Sequence, residues 1–222
     1  MSRHTVVLLG DSILDNWPYT RPAPDTSTHL AGLLGPTWSV VCLARDGATI
    51  SDLPLQLSRL AERPTWVVVS IGGNDLAGHT GLLGRQRTSS EELLGELVSL
   101  ADDFSKRYEA GVRAVAARAE RLMLCTVYEV PLEPPILARL ARAPLGLMND
   151  RIVTIGARLG ADVLDLRAVC TEKEDFVLQI EPSALGATKI ARAIARIVAG
   201  EGPLLSGRVF AELPPSPARS ER

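Results

Sequence analysis

The sequence predicts an α/β protein, a three-layer α/β/α sandwich around a five-stranded parallel sheet. Short apolar runs alternate five times with amphipathic helical segments. This alternation is typical of parallel strands joined by right-handed crossovers. The strands are continuous apolar runs, which indicates that helices cover both faces of the sheet. With 222 residues, the chain can build one such domain, which we place at residues 1–199.

The first strand begins at Thr5 with the run TVVLLG and stops at Gly10, Asp11 and Ser12. Proline then interrupts residues 13–24 too often for a long helix, so we expect a loop over a crevice there. The next elements are a short helix, a strand, a helix with one leucine face, and the most β-branched strand. They are expected at residues 26–34, 38–43, 49–63 and 66–71.

In the second half, Ser89 and Glu92 form a capping box that opens a long helix reaching about residue 118. Its expected buried face is Leu93, Leu97, Leu100 and Phe104. A strand at 122–127, a helical region from 136 to 159 broken near Pro144, and a short strand at 162–166 follow.

The last predicted helix starts at Glu181-Pro182-Ser183, because proline suits the first turn of a helix. Ile190, Ile194 and Ile197 share one of its faces. Residues 200–222 are rich in proline, serine and arginine, and we expect a partly disordered tail there.

Composition excludes several kinds of partner. The formal net charge is −2 and the basic residues are scattered, so we expect no nucleic-acid partner. No apolar run approaches the 18 or more residues of a membrane span, and too few residues precede the first strand for a signal peptide. We therefore expect a cytoplasmic protein without membrane association. The 3 cysteines are far apart, which favours free thiols over disulfides or a metal site. The oligomeric state is not indicated.

Small and polar residues end the first three strands, at residues 10–12, 46–48 and 72–75. In a parallel sheet these three turns meet at the carboxyl edge, where ligands bind. The hydroxyl of Ser12, the amide of Gly47 and the side chain of Asn74 are the groups that a nucleophile and an oxyanion hole require. The alternative is structural, since Asp-Ser is also a good helix N-cap and glycine is common in turns.

On these motifs the chain resembles the GDSL or SGNH hydrolases, which are α/β/α esterases, lipases and carbohydrate deacetylases with a flavodoxin-like topology. Its GDS with Ser12, its glycine turn at Gly47 and its GGND with Asn74 match the first three blocks of that family in order and spacing. The resemblance implies that Ser12 is the nucleophile. It also implies an oxyanion hole made by Ser12, Gly47 and Asn74, a small ester substrate, and no cofactor or metal.

The fourth block departs from the family, which has an aspartate, two residues and a histidine before the last helix. Leu178 and Glu181 occupy those two places. A serine hydroxyl needs a base, and an ordinary glutamate, with a pKa of about 4.3, is a weak one unless burial raises that value. The alternative role for Glu181 is a favourable charge at a helix N-terminus.

His79 is the second candidate base, because it follows the Asn74 turn by only a few residues. A surface histidine is the alternative. We assign Asp11, Gly73 and Asp75 to supporting roles, with the two aspartates capping turns and bonding neighbouring loops.

Three functional hypotheses therefore stand. The first is a serine hydrolase of a small acyl or acetyl ester, and the second is an inactive descendant that binds an acyl or carbohydrate ligand. The third is a flavodoxin-like nucleotide or signalling module, which shares the topology. Against it, no glycine-rich phosphate-binding loop follows the first strand of this chain. Substrate identity depends on the loops at 13–24 and 78–88.

Overall fold

The computed structural model describes residues 4–79 and 89–200, and its centre is a parallel sheet of five strands in the order β2-β1-β3-β4-β5. This confirms the predicted fold class. Residues 80–88 of the expected loop at 78–88 and residues 201–222 of the expected tail at 200–222 lie outside the described residues. The strands are β1 His4–Gly10, β2 Trp38–Cys42, β3 Trp66–Ser70, β4 Arg121–Cys125 and β5 Asp162–Leu164.

Helices cover both faces of the sheet. They are α1 Trp17–Thr20, α2 Thr26–Leu34, α3 Leu53–Ser58, α4 Gly73–Ala77, α5 Ser90–Ala116, α6 Pro135–Leu159 and α7 Ala184–Val198. The helices α2 and α7 pack together on one face, and α5 and α6 pack together on the other. None of the helices in the described residues is both long and apolar enough to cross a membrane.

Alternation along the central strands produces the two cores. Val7 and Leu9 of β1 belong to the core under α5 and α6, whereas Val6 and Leu8 belong to the core under α2 and α7. All four side chains are at most 2% exposed. Successive side chains of a strand point to opposite faces, so a continuous apolar run fills both cores at once.

Gly10 fixes the point at which β1 ends. Its φ is +133°, and a Cβ there would lie 1.8 Å from the carbonyl oxygen of Ser70 on β3. The side chain of Gln56 holds the same residue, accepting from its N–H at 2.7 Å and donating to its carbonyl at 2.8 Å. The strand end that precedes Ser12 is therefore rigid, and only glycine fits there.

Two helix predictions need correction. The expected break near Pro144 is wrong, because α6 runs through it. Proline removes one backbone bond to the carbonyl of Leu140, a residue that is 46% exposed and open to water, while Leu145 and Met148 beyond it are buried. The expected buried face of α5 is right at Leu100 and wrong at Leu93, which is exposed. Periodicity identifies a face of a helix but not where along it a partner begins.

The prediction that α7 starts at Glu181 is also wrong. Ser183 is the N-cap, with its side chain accepting from the N–H of Gly186 at 3.2 Å. Glu181 and Pro182 form a short strand, β7, which pairs with β6, Phe176–Val177, in an antiparallel hairpin. The local preference of proline for a first helical turn is overridden here by this pairing. Glu181 therefore does not serve as a helix N-terminal charge.

Other predicted features differ less. The proline-rich segment after Ser12 contains the one-turn helix α1, and the helix at 49–63 is a short 3-10 turn followed by α3, which ends at Ser58. Cys125 and Cys170 are buried and Cys42 is half-buried, and all three are free thiols.

Candidate active site

Ser12 lies directly after β1 and is 8% exposed. The carboxylate of Asp11 accepts from the N–H of Ile13 at 3.1 Å and so closes a tight turn around the serine. The nearest helix, α1, has Asn16 as its N-cap, so the helix-cap role considered for Ser12 is not what the structure shows. The N–H of Ser12 donates to no other residue in the described part of the chain.

Two further amide donors come from the other strand ends. Gly47 is exposed in a turn with φ of +77°, and within the described ranges its N–H has no acceptor. The side-chain amide of Asn74 donates to the carbonyl of Ala48 at 2.9 Å. That bond uses one of its two hydrogens and holds the amide against the Gly47 turn.

Asp75 ties the loops of this edge together. One carboxylate oxygen accepts from the N–H of Ile50 at 3.0 Å, and the other accepts from Arg107 of α5 at 2.6 Å. Its side chain is only 3% exposed. These contacts are those of a structural residue. A Cβ at Gly73 would lie 3.6 Å from Val127 and 3.9 Å from an oxygen of Asp11, which are ordinary contacts, so the space at this position does not require glycine.

Glu181 is the titratable side chain that meets Ser12. It is 9% exposed on β7. Burial raises the pKa of its carboxyl, a hydrogen bond from the Ser12 hydroxyl acts to lower that pKa, and the charge of Asp46 raises it again. The two upward effects are the larger, so the pKa of Glu181 lies above its ordinary value. One carboxyl oxygen, Oε2, is buried without a partner among the described residues. A buried carboxylate of raised pKa that contacts a serine hydroxyl can accept its proton.

Asp11 is a second buried carboxyl next to the serine, at 2% exposure. Burial raises its pKa from 3.8 to about 7, and repulsion from Glu181 and Asp75 adds to this effect. Near neutral pH, Asp11 is therefore divided between its neutral and charged forms. Sequence reasoning missed this property, and the one available signal was a carboxylate placed directly after a wholly apolar strand.

The other two positions of interest lie away from the serine. His79 is exposed, and its backbone N–H donates to the carbonyl of Leu76 at 2.9 Å. No contact between described residues joins it to Ser12. Leu178, where the family has its aspartate, is 76% exposed with φ of 50°, and so cannot orient a base.

Two residues that sequence reasoning left in the loop also border the site. Tyr19 of α1 donates to the carboxylate of Asp46 at 2.7 Å, and Asp15 accepts from the N–H of Asp46 at 3.0 Å. They would have been hard to find, because a proline-rich segment gives no periodic signal. No group of three or more potential metal ligands occurs in the part of the chain that the structure describes.

Comparison with known proteins agrees with this architecture. Residues 8–188 match the GDSL-like lipase/acylhydrolase family. No curated protein sequence matches closely enough to count as a relative. An acetylxylan esterase from Geobacillus stearothermophilus superposes with a TM-score of 0.61 at 20% identity, over 88% of this chain and 95% of that one. Two structures of that esterase are of catalytic mutants, in which a histidine or a serine is replaced by alanine.

Two lipolytic enzymes share the fold as well. Phospholipase A1 from Streptomyces albidoflavus NA297 has a TM-score of 0.65 at 17% identity, over 90% of this chain and all of that one (100%). An extracellular lipase from Streptomyces rimosus has a TM-score of 0.62 at 15% identity, over 89% of this chain and 99% of that one.

Proposed function

Because the chain belongs to the GDSL-like lipase/acylhydrolase family, we propose that it is a serine ester hydrolase in which Ser12 is the nucleophile and Glu181 is the general base. Family membership supports ester hydrolysis in general. The observation that carries the finer assignment is the interaction of the Ser12 hydroxyl with the carboxyl of the buried Glu181, which acts on the pKa of that carboxyl.

The reaction uses these groups in two steps. Glu181 takes the proton of Ser12 while Oγ attacks the ester carbonyl carbon, and the negative charge that forms on the carbonyl oxygen is bound by the N–H groups of Ser12 and Gly47 and by the free amide hydrogen of Asn74. Collapse of this intermediate breaks the bond to the alcohol, which leaves with the proton from Glu181. Water then hydrolyses the acyl-serine by the same path, with Glu181 as base.

A carboxylate base works here because of its surroundings. Burial favours the neutral form of Glu181 and so makes the carboxylate more basic than an exposed one. Without an imidazole, the family's orienting aspartate has no partner, which accounts for a leucine at position 178.

Short-chain esters such as acetates are the proposed substrates. The support for this choice is the structural likeness to an acetylxylan esterase. A cavity of about 240 Å³ borders the Gly47 turn, but its lining, residues 45–48 with Asp52, Leu55, Gln56 and Arg59, includes neither Ser12 nor Glu181. The volume of that cavity is therefore not the space available to the acyl group at Ser12.

The test combines labelling and kinetics. A fluorophosphonate probe followed by intact mass should modify the wild type once, and Ser12→Ala should prevent this. Glu181→Gln should lower the hydrolysis of an aryl acetate about 100-fold, because loss of a general base has an effect of that size. His79→Asn is the matched control and should change the rate less than about twofold. A large loss in His79→Asn with little loss in Glu181→Gln would move the base to His79.

The alternative is a ligand-binding descendant without catalytic activity. The replacement of both the aspartate and the histidine of the family's fourth block, by Leu178 and Glu181, favours it. No labelling and no turnover between about pH 5 and 9, with a folded protein, would establish this alternative and exclude the hydrolase.

A further inference from the structure

Gly47 is the proposed oxyanion donor that the protein core fixes least. Ser12 directly follows the buried strand β1, whereas residues 45–47 are all exposed. The turn that contains Gly47 is closed by one backbone bond, in which the N–H of Ala48 donates to the carbonyl of Arg45 at 3.0 Å. Backbone bonding within the turn therefore does little to set the direction of the Gly47 N–H.

The geometry of this turn allows two directions. A φ of +77° at Gly47 is typical of the third residue of a type II turn. Rotation of the peptide between Asp46 and Gly47 by about 180° gives a type I turn, which keeps the closing bond but reverses this N–H. Glycine adopts either conformation readily. Such a rotation leaves the N–H and the side chain of Asp46 in place, so contacts on these two groups restrain the position of the turn and not the rotation itself.

Two side chains from the segment after the nucleophile make such contacts. The carboxylate of Asp15 accepts from the N–H of Asp46 at 3.0 Å. The hydroxyl of Tyr19 donates to the side chain of Asp46 at 2.7 Å. Both the backbone and the side chain of Asp46 are therefore held from outside the turn. We call residues 15–19 the strap.

The strap itself is anchored in the core through Asn16, which is 0% exposed. Its side-chain amide donates to the carbonyl of Ile13 at 2.9 Å and to the hydroxyl of Thr26 at 2.7 Å, and its oxygen accepts from the N–H of Thr26 at 3.0 Å. A fully bonded buried side chain between Asp15 and Tyr19 makes the strap a rigid support.

We propose that Asp15 and Tyr19 are positioning residues of the oxyanion hole, which hold Asp46 and so restrain the position of the Gly47 N–H beside the reacting carbonyl. This inference rests on the proposed function. Asp46 raises the pKa of the Tyr19 phenol, so that phenol stays protonated and donates throughout the neutral range. The same carboxylate raises the pKa of Glu181.

The variants Tyr19→Phe, Asp15→Ala and Asp15→Asn test this on the full chain with an aryl acetate. Tyr19→Phe and Asp15→Ala should each lower kcat about 10-fold, which is less than the 100- to 1,000-fold loss when a donor is removed outright. KM should change less than twofold, because the oxyanion exists only in the transition state. Asp15→Asn keeps the accepting oxygen and should restore kcat to within about threefold of the wild type.

Two further measurements separate positioning from folding and from the proposed function. Affinity for a methylboronic acid, whose serine adduct resembles the tetrahedral intermediate, should fall in parallel with kcat, while the melting temperature stays within a few degrees. Tyr108→Phe is the matched control, since its hydroxyl is buried without a partner among the described residues, and its kcat should not change.

The outcomes are distinct. An active wild type with kcat unchanged in Tyr19→Phe and Asp15→Ala overturns this inference alone, and so does a rise in KM at constant kcat. Equal losses in Asp15→Ala and Asp15→Asn also overturn it. A wild type that neither turns over the ester nor binds the boronate overturns the proposed function and this inference with it.

Discussion

Asp11 gives the protein a pH-dependent stability that one substitution should remove. Its carboxyl is 2% exposed and its pKa is raised to about 7 from an ordinary 3.8, mainly by burial. In Asp11→Asn the amide oxygen can still accept from the N–H of Ile13, and the side chain has nearly the same shape. The substitution therefore removes the charge and little else.

The magnitude follows from linkage. Between pH 3.8 and about 7 the folded protein keeps a proton on Asp11 that the unfolded chain has lost. The free energy of unfolding therefore falls by about 1.4 kcal/mol for each pH unit of rise, or about 4 kcal/mol over the interval. Below pH 3.8 both states are protonated and the effect vanishes. Asp11→Asn should accordingly be more stable than the wild type by about 2 to 4 kcal/mol at pH 8, and by much less at pH 4.5.

Urea unfolding at pH 4.5, 6 and 8 measures this difference directly. The control is Asp150→Asn on α6, whose side chain is 67% exposed and which should change stability by less than about 0.5 kcal/mol at each pH. A difference for Asp11→Asn that stays constant with pH, or a loss of stability at pH 8, would refute the assignment of a buried, proton-binding Asp11.

Two other predictions concern the proposed base, Glu181, and the ion pair between Asp75 and Arg107. If Glu181 must be ionised to act, kcat/KM for an aryl acetate should fall as the pH drops through the raised pKa of its carboxyl. The residual activity of Glu181→Gln should not show this fall at low pH. The same fall in the variant would assign it to another group. Arg107→Ala should lower the free energy of unfolding by about 3 kcal/mol, because it leaves the Asp75 carboxylate buried without its ion pair. The control is Arg113→Ala on the same helix, where the arginine is 63% exposed beside Glu109. Its free energy of unfolding should fall by less than about 1 kcal/mol. Equal losses for the two variants in urea unfolding would show that Asp75 does not need Arg107.

Apolar runs and turn residues were enough to predict the sheet, its parallel topology and the edge at which Ser12, Gly47 and Asn74 lie. Each residue of a strand buried on both faces must be apolar, so the apolar runs marked the five strands to within a few residues. The start of α7 was misplaced because Pro182 suits both a first helical turn and a strand next to a turn, and only pairing with β6 decides between them.

Other features have no local signal at all. The pKa of Asp11 depends on burial and on charges that come from distant parts of the chain, among them Glu181. The bonds from Asp15 and Tyr19 to Asp46 span 31 and 27 residues. Such contacts depend on how distant loops pack against one another, and no periodic pattern in the sequence predicts that packing.

The hairpin that carries Glu181 is fastened to the protein by its own contacts. Asp175, which is fully buried, pairs with Lys189 of α7 at 2.7 Å, and Ser183 donates from its backbone to the carbonyl of Asp175 at 2.8 Å. Two more bonds hold its loop, since the hydroxyl of Tyr128 donates to the carbonyl of Ile180 at 2.8 Å and the N–H of Glu133 donates to the side chain of Gln179 at 2.7 Å. None of these bonds uses the side chain of Glu181, so the chemistry of the proposed base can be changed without breaking the contacts that hold its hairpin.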